Sequence, residues 1–79
     1  MTGAALSSAP EAYAIRRNDL ARLIDVLEME LQKHDEIAKA DPTNWGLVGN
    51  LGKVRRDLID AVAFLSRMET EEVEAFLAE

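Results

Sequence analysis

Residues 41–52 read Asp-Pro-Thr-Asn-Trp-Gly-Leu-Val-Gly-Asn-Leu-Gly. They hold the only Trp, one of two Pro and three of the four Gly of the chain. Long stretches with helical spacing of apolar residues flank them on both sides. A corner of this kind between two amphipathic segments restricts the fold to a helical hairpin or something built on one, because short connections leave neighbouring helices antiparallel.

The first segment opens with Ser8-x-x-Glu11, the pattern of a capping box, and places Pro10 in a first turn where its missing N–H costs little. Tyr13, Leu20, Leu27 and His34 then recur every seven residues, with Ile24, Leu31 and Ala38 in the alternate seam. Leu23, Val26 and Ile37 widen one edge, and this pattern predicts a helix over about 9–40. Asn18-Asp19 offers a second cap, at which this helix could begin or bend. Asp41-Pro42 reads as a stop and a restart, with Asp41 as cap and Pro42 in the first helical position. A second helix over about 43–67 carries Leu47, Leu51, Val54, Leu58, Ala61, Leu65 and Met68 at heptad spacing, flanked by Val48, Ile59 and Val62. Thr70 reads as the cap of a third, short helix over about 71–78, whose apolar stripe is Val73, Phe76 and Leu77. There is no strand signal and no repeat.

The fold class expected is therefore all-α, an antiparallel two-helix hairpin plus a short C-terminal helix. Residues 1–8 read as a flexible tail and 9–79 as one helical domain. The expected core is Leu20, Ile24, Leu27, Leu31, Leu51, Val54, Leu58 and Leu65, with Trp45 as a plug over the end of the hairpin. A 79-residue chain buries only about 60% of its unfolded surface. Two helices cannot cover arcs this wide, so a second copy is expected to complete a four-helix-bundle-like homodimer.

Composition narrows the chemistry. With no Cys and a single His, thiolate and conventional His-based metal sites are not expected on one chain. The absence of Cys agrees with a cytoplasmic location. No uncharged run approaches the ~20 apolar residues of a membrane span. The net charge of −6, with five Glu and no base over residues 68–79, argues against nucleic acid as a partner.

Candidate residues each have a plain alternative. Trp45 is either the plug or an aromatic interaction anchor. Asn44 is an interaction candidate beside it, with the cap of the second helix as its plain alternative. Val62, Phe64 and Phe76 flank the seam as further interaction candidates. Gly46, Gly49 and Gly52 share one side of the helix wheel, either as a smooth face or as a loose corner. They do not form a phosphate loop, since Leu47 and Val54 stand where a Gly and a Ser or Thr are required. His34 reads as a structural residue of the seam with one hydrogen bond. Lys53, Arg55, Arg56, Arg16, Arg17 and Arg22 read as partners for Asp57, Asp60, Asp19 and Asp25 on solvated faces. No nucleophile, base and oxyanion donor fall together, so no catalytic residue, cofactor or metal is expected.

Three functions are consistent with these observations. The first is a non-enzymatic helical module, an assembly or regulatory subunit for an unknown protein partner. The second is an acidic, antitoxin-like inhibitor that covers a basic surface with Glu69, Glu71, Glu72, Glu74 and Glu79. The third is a small helical enzyme that holds an anionic metabolite with Arg55, Arg56 or Arg22.

Overall fold

A computed structural model describes residues 8–79. The expectation of a flexible tail over 1–8 falls, apart from Ser8, outside the described residues. The chain is all-α, and its elements are α1 (Ala9–Ala40), α2 (Trp45–Ser66) and α3 (Thr70–Leu77). Its described residues divide into two units, 8–40 and 41–79.

The first unit is α1, 32 residues of unbroken helix. Its start follows the sequence signal. The Ser8 backbone N–H donates to Glu11 Oε1 at 3.1 Å, and the Glu11 N–H donates to Ser8 Oγ at 3.3 Å. Two of the amides that a helix start leaves without partners are thus satisfied reciprocally. The helix continues unbroken through Asn18-Asp19, so the second cap expected there is not used. No residue of α1 is buried. Leu27, Leu31, His34 and Ala38, at the spacing of the expected seam, are half-buried, whereas Leu20 and Ile24 are exposed.

In the second unit, Asp41 does not cap α2. The Asn44 N–H donates to the Asp41 carbonyl at 3.2 Å and closes a turn. Asn44 is the cap, with an extended backbone, and its Oδ1 accepts from the Gly46 N–H at 2.8 Å. Asn44 Nδ2 also donates to Asp41 Oδ2 at 2.9 Å, which fixes the side chain that does the capping. The turn takes up Asp41–Thr43, so α2 begins at Trp45 and not at 43.

α2 ends on a left-handed residue. Arg67 sits at φ 62°, ψ 27°, and the Met68 N–H donates to the Ala63 carbonyl at 3.2 Å. This six-to-one bond is the Schellman closure, usually made with Gly at the left-handed position. Glu69 then caps α3 in place of the expected Thr70. Its backbone N–H donates to Glu72 Oε1 at 2.9 Å, and Thr70 is already helical.

The left-handed turn sends α3 back against α2. Ile59, Ala63 and Val73 form the buried cluster, the two large side chains each 7% exposed. Arg55 and Glu74 reach each other across the two helices at 3.8 Å. The expected core is thus corrected. Leu51, Leu58 and Leu65 of α2 are exposed, as are Leu20 and Ile24 of α1, and only Val54, Leu27 and Leu31 reach half-burial. The reason is geometric. Ile59 and Ala63 are one turn apart on a stripe roughly 100° from the Leu51–Leu58–Leu65 stripe, and the direction of the Arg67 turn brings α3 over the former.

Candidate functional site

Trp45 is the first residue of α2, and its ring is 81% exposed. It does not plug a core. Together with Pro42, Thr43, Asn44 and Val48 it lines a shallow hollow of about 290 Å³ at the corner. The position follows from the cap: Asn44 must leave the helix to reach the Gly46 amide, and the next side chain then projects from the first turn with nothing folded over it. Asn44 is accounted for by its two hydrogen bonds, which makes it a structural residue of this corner.

The other interaction candidates do not converge. Phe64 is 82% exposed, on a side of α2 well away from the leucine stripe, and Val62 is exposed at that stripe's edge. Phe76 is exposed on α3. Of the third helix's apolar residues only Val73 turns inward.

The glycines belong to regular helix. A methyl group added at Gly49 or Gly52 would meet nothing within 4 Å, so no other described part of the chain lies against either. Gly46 differs, because a Cβ there would come within 2.9 Å of Asn44 Oδ1, the capping oxygen. A side chain at position 46 would thus crowd the oxygen that caps the helix.

The charged residues are partly paired. Lys53 pairs with Asp57 within α2, as expected, while Arg55 takes Glu74 of α3 and not an aspartate of its own helix. On α1 the pairs are Lys33–Glu30 at 3.0 Å and Lys39–Glu36 at 3.1 Å. Among the described residues Arg16, Arg17 and Arg22 have no ion-pair partner, and neither do Asp25, Glu28 and Asp35. All the pairs are exposed and each contributes well under ~1 kcal/mol.

Two concave regions contain charge. A groove of about 480 Å³ between α2 and α3 is lined by Gly52, Arg55, Arg56, Ile59, Asp60, Thr70 and Glu74. Its two Arg are balanced by two carboxylates, one of them, Glu74, ion-paired with Arg55. A hollow of about 350 Å³ on α1 is formed by Asp19, Arg22, Leu23 and Val26 alone. Neither holds a grouping of nucleophile and base. Among the described residues no three His, Asp or Glu side chains are placed to share a metal ion. No helix among them is long and apolar enough to cross a membrane.

His34 is half-buried, and its Nε2 is enclosed without a hydrogen-bond partner among the described residues. The bond expected of a structural seam histidine is thus missing at this nitrogen. The Glu11 carboxyl titrates below its ordinary value. The backbone N–H of Ser8, and then its hydroxyl, donate to the ionised form and hold its pKa below the ordinary 4.5.

No protein-family model matches the chain, and neither a curated protein nor a solved structure shows significant similarity to it.

Proposed function

We propose that the protein is a non-enzymatic helical interaction module, an assembly or regulatory subunit that acts by presenting α1 and the leucine stripe of α2. The observation that carries this reading is a 32-residue helix with none of its residues buried and with Tyr13, Ile15, Leu20, Leu23, Ile24, Val26 and Ile37 all exposed. Isolated helices are marginal in water, and most helical stability in proteins comes from packing an apolar face. Soluble chains seldom leave contiguous apolar patches of more than a few hundred Å² uncovered. On this reading α1 and α2 form the antiparallel hairpin, and a second copy completes a four-helix-bundle-like dimer. Leu51, Leu58 and Leu65 would then be buried in the assembly and not within one chain.

Sedimentation equilibrium across micromolar concentrations tests the assembly. A mass twice 8.8 kDa, with a melting temperature that rises with concentration, is expected. A monomer mass throughout, with a concentration-independent cooperative melt, overturns it. Capture of a partner from native extract at low and high salt addresses the acidic alternative. Association through the apolar stripes tolerates salt, whereas docking of Glu71, Glu72 and Glu79 on a basic surface weakens steeply with it.

A further inference from the structure

The charged residues of α1 are ordered along the helix. Residues 9–24 carry three Arg against two acids, and residues 25–40 carry five acids against two Lys. Among the described residues the charges without an ion-pair partner are Arg16, Arg17 and Arg22 with Glu11 and Asp19 in the first half, and only the acids Asp25, Glu28 and Asp35 in the second.

Inward from the start of the helix, the signs run minus at Glu11, plus at Arg16 and Arg17, minus at Asp19 and plus at Arg22. Inward from its end they run plus at Lys39, minus at Glu36 and Asp35, plus at Lys33 and minus at Glu30. The second series is the first with every sign inverted. A helix with that property is complementary to a second copy of itself turned end for end. It is not complementary to a copy running the same way.

From this order we infer that α1 pairs with α1 of a second copy in antiparallel orientation, about a two-fold axis near Val26. The inference rests on the reading of α1 as an assembly surface, and it adds the direction and the register. The apolar seam agrees with the charges. The axis that sets Arg17 against Asp35 of the other copy also sets, within one residue, Leu20 against Leu31 and Ile24 against Leu27. Arg17 and Asp35 lie on the same edge of the seam, 18 positions and so five turns apart. Same-edge residues face each other across an antiparallel pair, and the contact occurs twice by symmetry. In a parallel pair opposite edges of the seam face each other at equal height, so Arg17 and Asp35, five turns apart on one edge, do not meet. Asp19, Arg22, Lys33 and Glu36 lie farther round the helix and act only through the longer-range field.

The chain has no Cys, so single nitroxide labels can be placed on the full-length protein without background. Ala14→Cys and Asp25→Cys sample an end and the centre of α1. At 1.5 Å per residue the antiparallel pair separates the Ala14→Cys labels by about 35 Å and brings the Asp25→Cys labels within about 20 Å. Two short distances mean a parallel pair and overturn the inference while leaving the assembly standing. Dimer mass with both distances long places the contact elsewhere and also overturns it. A monomer mass with no distance between labels overturns the underlying reading.

A charge cycle gives an independent measure. Arg17→Glu is expected to weaken dimerisation about tenfold, since it converts two attractive contacts into two repulsive ones, and Arg17→Glu with Asp35→Arg is expected to restore it. Failure of the second substitution to rescue the first overturns the register.

Discussion

α1 and the α2–α3 unit solve the same problem to different extents. Both are amphipathic, both begin with a hydrogen-bonded cap, and α1 is longer than α2. Yet α1 buries nothing, while the α2–α3 unit encloses Ile59, Ala63 and Val73. The difference lies in the path of the chain at the end of α2. That helix closes on a left-handed residue that reverses the chain within three residues and lays α3 on its flank. Length and propensity make a helix possible, but an apolar stripe is buried only where the chain or another molecule is directed over it.

The largest test of this contrast is Val73→Asp. A carboxylate in the buried cluster lacks a partner and should cost about 3 kcal/mol or more, enough to detach α3. Hydrogen exchange should then show loss of protection in α3 and the second half of α2, with α1 unaffected. Unchanged α3 amides would mean that the cluster does not hold the unit together.

Next in size is Leu27→Ala, on the half-buried seam of α1. If that seam is covered by assembly, the substitution should cost about 2 kcal/mol and should register mainly as a lower melting temperature in dilute solution. A loss independent of protein concentration would make Leu27 an intrachain core residue and erase the contrast.

Asn44→Ala removes the cap of α2 and should cost about 1 kcal/mol, whereas Asn44→Gly should cost only a few tenths. Urea denaturation monitored by circular dichroism can read both. Equal losses would mean that the side-chain bond to Gly46 contributes little.

Arg67→Gly acts in the opposite direction. A residue with a Cβ loses about 1 kcal/mol on entering the left-handed region, so Gly should stabilise the α2–α3 unit by about 0.5–1 kcal/mol. A destabilised variant would show that the Arg67 side chain makes a contact that outweighs the backbone strain.

The smallest effect expected is the titration of Glu11. Its folded pKa lies below its ordinary 4.5. Its contribution to the start of α1 is therefore present above about pH 4.5 and is lost as the pH falls through the lower folded value. The Ser8 amide resonance should shift along the same curve, and Ser8→Ala should return Glu11 toward its ordinary pKa. A Glu11 that titrates normally in the wild type would leave α1 without its cap.

Much of this architecture is legible along the chain, and the departures share a cause. The three helices, the Ser8–Glu11 box and the role of Asn44 depend on residues two to four positions apart, so the sequence displays them directly. Asp41 and Thr70 are equally plausible caps by residue type, and each loses to a neighbour. Asn44 is held by Asp41 itself, and Glu69 is placed by the left-handed turn at Arg67. Nothing in residue type announces that turn, because Arg stands where Gly is usual. Size alone makes Trp45 look like a plug. Its exposure results from its place immediately after the cap, on the first turn of α2.

The composition and spacing of the 79 residues were sufficient to determine an all-α chain and the approximate bounds of its helices. These depend on local periodicity and residue type, and not on how the helices pack. Which stripe of α2 is buried was decided by the tertiary structure alone. The apolar arc of α2 is about half its circumference and offers both the Leu51–Leu58–Leu65 stripe and the Ile59–Ala63 stripe. Only the course of the chain through Arg67 selects the second, leaving the first exposed on the chain's surface.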